Sequence, residues 1–244
     1  MRIDKMLANI GIGSRREVKN ILKNGLVTVD GEIVKDSATQ VETEKNIVSV
    51  EGNIIKYREF VYIMMYKPIG VLSATKDLRD TTAVELLSEE YKCFETAPAG
   101  RLDKDSEGLL FLTNDGGLIH SVISPKKHVN KLYEVWVDGV LDKTDIDSFA
   151  KGIVLDDGYL TLPGNLEIIE AGEESKAYVT IREGKFRQIR RSMASLGKEV
   201  HFLKRLAIGP LKLDEKLSPG GYRELEKAEL IELMEASGYK NNTK

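Results

Sequence analysis

Two glycines bracket a run of charged residues in Pro98-Ala99-Gly100-Arg101-Leu102-Asp103-Lys104-Asp105-Ser106-Glu107-Gly108. The run leads into the apolar Leu109-Leu110-Phe111-Leu112-Thr113 and then Asn114-Asp115-Gly116. A charged loop held rigid by a buried strand is a good platform for a positioned carboxylate. Composition alone favours a plainer reading, a solvated turn between two strands. A glycosidase-like pair of Asp103 and Asp105 fits poorly, because neighbours in one loop do not reach opposite faces of a sugar.

Basic residues form two zones. Met1 to Val29 has six Lys or Arg against two acids, and Arg182 to Arg205 has eight against two. Asp214 to Glu235 has seven acids and three bases. Such asymmetry points to a polyanion more than the total does, although solvated helix faces explain it as well. Over 244 residues the formal net charge is only −3.

The elements that must carry these residues fall into two sets. Ile3, Met6 and Leu7 share a helical spacing that Gly11 and Gly13 end. Ser14 and Glu17 predict a capping box for a second helix, with Val18, Ile21 and Leu22 inward and Gly25 as its stop. Leu26–Val29, Asp30-Gly31 and Glu32–Val34 read as a hairpin. Arg15, Arg16, Lys19 and Lys23 then lie on the outer helix face. Residues 44–59 are polar and irregular, and read as a linker. Beyond them come strand-like runs at Phe60–Tyr66, Gly108–Leu112, Leu132–Val137, Leu166–Ile169, Ala177–Ile181 and Ile208–Leu213. Helical stretches fall at Thr82–Leu87, Lys143–Lys151, Arg187–Leu196 and Lys227–Glu235. This pattern predicts an α+β fold around a mixed, mainly antiparallel sheet flanked by helices.

Residues Met1–Leu7, Ser14-Arg15-Arg16 and Gly25–Gly31 together resemble an S4 RNA-binding module. Gly100-Arg101-Leu102-Asp103 followed by Glu107-Gly108-Leu109-Leu110 resembles the catalytic loop of the RsuA/RluA-type pseudouridine synthases. Lys67-Pro68-Ile69-Gly70, Lys131-Leu132-Tyr133, Glu183–Arg191 and Arg205–Leu211 resemble four further motifs of that family. The expected organisation is an S4 domain at 1–43, a linker at 44–59 and a catalytic domain at 60–240. The wording from Ser124 to Tyr133 is most similar to the RsuA branch, which acts on small-subunit ribosomal RNA.

The resemblance implies a cofactor-free isomerisation of uridine to pseudouridine in ribosomal RNA. Asp103 would be the reacting carboxylate, either attacking C1′ or removing a proton at C2′ to form a glycal. Arg190 would form an ion pair that keeps Asp103 charged, where the RsuA pattern has lysine; a phosphate contact or a solvent-facing role also fits Arg190. Tyr133 would stack on the extruded base and relay the C5 proton, or simply fill a strand core. Arg2, Lys5, Arg15, Arg16, Lys19, Lys23, Arg101, Lys185, Arg187, Gln188 and Arg191 are the expected RNA contacts. Arg101 serves equally to hold the loop. Leu102, Ile208 and Leu211 would wall the pocket, with a plain core role equally open for Ile208 and Leu211. The alternatives are a large-subunit rRNA synthase of the same family, a non-catalytic S4-type assembly factor, and an N-glycosylase.

Other classes are set aside. One cysteine, Cys93, gives no internal disulfide and no cysteine-based zinc site, and three histidines give no histidine-rich metal site. Hydrophobic residues are 41% and charged residues 31%, a globular balance. No run approaches the roughly 20 apolar residues of a membrane span. The start is charged, at Arg2, Asp4 and Lys5, without an apolar signal core. The expectation is a cytoplasmic monomer whose partner is rRNA or an assembling small subunit. Gly11-Ile12-Gly13 follows a helix and lacks the spacing of a phosphate loop.

Overall fold

The computed structural model describes residues 1–55 and 57–240. The chain divides into two compact units, Met1–Val61 with Ser88–Glu95, and Tyr62–Leu87 with the remainder from Thr96. No helix among the described residues is long and apolar enough to cross a membrane.

The first unit opens with α1 (Ile3–Asn9) and α2 (Arg15–Lys23). The capping box forms: the Ser14 hydroxyl accepts from Glu17 N, and the Glu17 carboxylate accepts from Ser14 N at 2.7 Å. β1 (Val27–Val29) and β2 (Glu32–Ile33) follow, then β3 (Val48–Val50), β4 (Asn53–Ile55) and the short α3 (Glu89–Lys92). The four strands make an antiparallel sheet in the order β2-β1-β3-β4. Asp30-Gly31 and Glu51-Gly52 both take positive φ, as two-residue hairpin turns require. Ile3, Met6, Leu7, Val18, Leu22, Val27, Val41, Val48 and Val50 form the core.

Reading 44–59 as a linker is therefore corrected. β3 and β4 lie inside that stretch and complete the sheet, while Lys56 lies outside the described residues. Strands of three residues with polar tips carry too little alternation to show in the sequence. They are held from outside, since the Asp30 carboxylate accepts from Ile47 N and Asn46 Nδ2.

The second unit contains β5 (Tyr62–Lys67), β6 (Ala97–Pro98), β7 (Glu107–Thr113), α4 (Gly116–Ile123), β8 (Lys131–Asp138), α5 (Lys143–Lys151), β9 (Asn165–Glu170), β10 (Glu174–Ile181), α6 (Gln188–Ser195), β11 (Glu199–Ile208), β12 (Leu211–Lys212), β13 (Tyr222–Glu224) and α7 (Lys227–Ser237). Its sheet runs β13-β5-β7-β11-β8-β10-β9, with β12 on β11 and β6 on β7. Only the β7–β11 pairing is parallel, so the sheet is mixed and mainly antiparallel, as expected. One core cluster joins β8, β10 and β11 to α5 and α6 through Val135, Val137, Phe149, Ile189 and Met193. A second joins β5 and β7 to α4 and α7 through Met64, Phe111, Leu118 and Leu233.

Three local expectations change. Thr82–Leu87 holds only a 3₁₀ turn at Val84–Leu86. The Asn114-Asp115-Gly116 turn starts a helix, because the Asp115 carboxylate caps Leu118 N at 3.0 Å. The last long strand lies at 199–208, before the expected 208–213. Its inward positions include Arg205, and two register shifts interrupt the ladder, so the apolar alternation is broken.

Candidate active site

The Gly100–Ser106 loop is pinned from several sides. The Ser73 hydroxyl donates to Leu102 O at 2.9 Å and accepts from Leu102 N at 3.0 Å. Gly70 N donates to Lys104 O at 2.7 Å. Lys67 is fully buried at the end of β5, and its ammonium donates to Ser106 O at 2.7 Å and Pro68 O at 2.9 Å. A cavity of about 670 Å³ opens beside this loop. Asp103 lines it together with Tyr133 and Lys131 from β8, Leu203 and Arg205 from β11, and the 183–189 segment before and into α6.

Cations gather under the loop. Arg205 is 2% exposed; its Nε donates to Leu109 O at 2.7 Å, and its Nη2 has no hydrogen-bond partner among the described residues. Burial pushes Lys67 down to about 8, with Arg205 adding to the shift and Asp103, Asp105 and Glu107 opposing it. Burial and Arg205 likewise push Lys131 down to about 8. Lys131 and Arg205 thus bring positive charge to the cavity wall.

The sign of the lysine effect is testable. Between about pH 8 and 10.5 the unfolded chain, whose lysines titrate near 10.5, binds more protons than the folded one. Stability therefore rises with pH through that window, and below it both ammoniums are charged at a cost. The urea midpoint is expected to climb from pH 7.5 to 9.5, and to climb less in Lys67→Met. A flat or falling midpoint in the unaltered protein would remove the assignment.

The expected Asp103–Arg190 pair is not formed. No ion pair within 4 Å among the described residues involves Asp103; Arg190 instead turns to Asp105. Its Nη2 donates to Asp105 O at 3.0 Å, its Nη1 to Val200 O at 2.6 Å, and its Nε lies 3.5 Å from the Asp105 carboxylate. Arg187 grips the same carboxylate at 2.7 Å. Burial would raise the Asp105 carboxyl, but the Arg187 hydrogen bond and the Arg190 charge hold it below its usual value. Asp103 thus meets the cavity, while Asp105 meets Arg187 and Arg190 at the start of α6.

The remaining candidates separate in space. Tyr133 and Leu102 line the cavity and are both buried. Ile208 and Leu211 do not line it: they pack in the α4–α7 core, and Leu203, Ile181 and Ile189 supply the apolar wall. Gln188 lines the cavity as a buried brace, donating to Glu183 at 2.9 Å and accepting from Lys185 N at 3.1 Å. Arg191 is engaged by Asp156 and Asp157. Arg101, Lys185 and Arg187 line the mouth of the cavity. In the first unit Lys5, Arg15, Arg16, Lys19 and Lys23 are exposed, whereas Arg2 is paired with buried Asp4 at 2.8 Å. Sequence reasoning missed Lys131, Leu203, Arg205 and Phe186 as site residues. The available signal was the family motifs themselves, since Lys131, Phe186 and Arg205 lie in the 131–133, 183–191 and 205–211 segments.

The sequence profile of the RNA pseudouridylate synthase family matches residues 61–195, which include the whole loop, Tyr133 and Arg190. The chain belongs to the RNA pseudouridine synthase family. An S4 domain profile matches residues 1–47 of this synthase. It is 48% identical to "Uncharacterized RNA pseudouridine synthase YtzG" of Bacillus subtilis (strain 168), over 94% of this chain and 97% of that one. It is 39% identical to "Ribosomal small subunit pseudouridine synthase A" of Vibrio vulnificus (strain CMCP6), over 94% and 98%. A crystal structure of a pseudouridylate synthase superposes with a TM-score of 0.67 at 32% identity, covering 96% of this synthase and 99% of that chain.

Proposed function

We propose that this pseudouridine synthase isomerises one uridine of small-subunit ribosomal RNA, with Asp103 as the reacting carboxylate and no cofactor. The observation that carries the reading is the carboxylate of a pinned loop opening onto a cation-lined cavity large enough for a nucleotide. The printed names of relatives such as the Vibrio vulnificus protein support the small-subunit target.

In this reading a uridine leaves its stack and enters the cavity. Asp103 attacks C1′, or takes a proton at C2′, as the N1–C1′ bond breaks. The freed uracil turns over and C5 bonds to C1′. The C5 proton is lost and N1 gains one, so the product is an isomer. Tyr133, facing the same space, stacks on the base and relays the C5 proton. Arg205 and Lys131 place positive charge in the cavity that Asp103 enters, with Arg190 bracing the loop behind it. Arg101, Lys185 and Arg187 hold phosphates at the mouth. The protein works as a monomer in the cytoplasm, where its substrate is made.

The test is tritium release from a [5-³H]uridine-labelled small-subunit rRNA transcript, naked or partly assembled. About one tritium per RNA is expected, with no free uracil. No release from either form, or release only from large-subunit rRNA, would refute the target; free uracil would indicate a glycosylase.

The exposed face of α2 supplies a separate prediction. Arg15→Ala, Arg16→Ala and Lys19→Ala combined should weaken rRNA binding. They should also flatten the log–log salt dependence by roughly 2 to 3, since each phosphate contact contributes about 0.7 to 0.9. Filter binding across a salt series reads this, and an unchanged slope would sink it.

A further inference from the structure

Phe186 is a large apolar side chain left 69% exposed, and it lines the same cavity as Asp103 and Tyr133. Its backbone holds it in that position. The neighbouring Lys185 N donates to Gln188 Oε1 at 3.1 Å, and Gln188 donates to the buried Glu183 carboxylate at 2.9 Å. Glu183 is itself fixed by Leu162 N and the Tyr159 hydroxyl, each at 2.8 Å. On the other side Arg187 sits at φ +48°, and Phe186 O accepts from Arg191 Nη1 at 3.4 Å. A frame with this many fasteners presents the ring outward in place of burying it.

The surroundings carry matching charge. Lys185 lies 4.2 Å above the Tyr159 ring, and Arg187 stands on the Asp105 carboxylate. An exposed ring flanked in the chain by two cations, all three lining one cavity, has the make-up of a stacking platform for unpaired nucleic acid. We propose that Phe186 is a stacking site for a nucleobase of the RNA, the base beside the extruded uridine. The uridine itself goes deeper, to reach Asp103 and Tyr133. Its neighbour loses one stacking partner, and the Phe186 ring replaces it. Every base has a π-face, so the site accepts any of the four.

The inference rests on the RNA-isomerase reading and is tested apart from it. Phe186→Leu keeps apolar bulk without a ring; Phe186→Trp keeps the ring. With the small-subunit rRNA transcript as probe, Phe186→Leu is expected to weaken Kd about tenfold, and Phe186→Trp to stay within about twofold of the unaltered protein. The chain has one tryptophan, Trp136. In a Trp136→Phe background, the indole introduced by Phe186→Trp should lose emission as RNA binds, with the same midpoint as filter binding. Normal binding by Phe186→Leu, unchanged emission at saturating RNA, or equal losses in both variants with a lowered Tm would each overturn the stacking role. Tritium release by the unaltered protein decides the isomerase reading separately: release with normal binding by Phe186→Leu removes only the stacking site, and quenching without release removes only the isomerase.

Discussion

Asp103→Asn is expected to cut single-turnover tritium release by roughly 10³-fold or more, leaving rRNA affinity within about threefold. The amide has nearly the same shape, but it is neither a nucleophile nor a base at neutral pH. Asp103 makes no ion pair within 4 Å among the described residues, so its charge does not hold the loop together. The loop is held by Ser73, Gly70 and Lys67, all acting on backbone atoms. Removing an anion from a cation-lined cavity should not weaken phosphate binding. Rapid-quench tritium release, filter binding and thermal melting are to be read on one preparation. Retained release, or binding lost in parallel with it, would take Asp103 out of the reaction. Asp105→Asn provides the contrast, because Asp105 clamps Arg187 and Arg190.

Gly108→Ala should be the most damaging single methyl in the second unit, costing about 4 kcal/mol or more. Gly108 sits in the parallel pairing of β7 with β11, opposite Arg205. A Cβ there would lie 2.3 Å from Arg205 O and 2.7 Å from Arg205 N, both backbone atoms, and φ is +107°. The strands would have to part directly below the reacting loop. Gly158→Ala is the control, since φ is +82° but nothing lies within 4 Å. Its cost should be about 1 kcal/mol, the conformational penalty alone. Urea melts of the two variants should differ accordingly; a Gly108→Ala midpoint near that of Gly158→Ala would refute the close approach.

Much of this arrangement was legible because it is local. The Ser14–Glu17 box, the Asp30-Gly31 turn and the long apolar runs of β5, β7 and β8 each state their structure within a few residues. The loop that carries Asp103 was legible through its glycines and its motif. What stayed hidden depends on distant partners. The sequence gives no hint that Arg190 turns to Asp105, because two carboxylates two residues apart compete for it and loop geometry decides. Gln188 and Arg191 look like solvent-facing cationic-helix residues, yet buried Glu183 and the Asp156-Asp157 turn claim them. β3 and β4 are too short to announce themselves, and β11 is masked by its own inward arginine.

The division of the chain has a practical consequence. The polypeptide leaves the first unit after Val61, returns to it at Ser88 and departs again after Glu95. A protein shortened at residue 61 would lack the returning segment, and Gly11 would lose Cys93, whose Cβ lies 2.8 Å from where a Cβ on Gly11 would stand. The first unit is thus drawn from two separate stretches of the chain, and a transplant of it would carry the eight residues Ser88–Glu95 along with Met1–Val61.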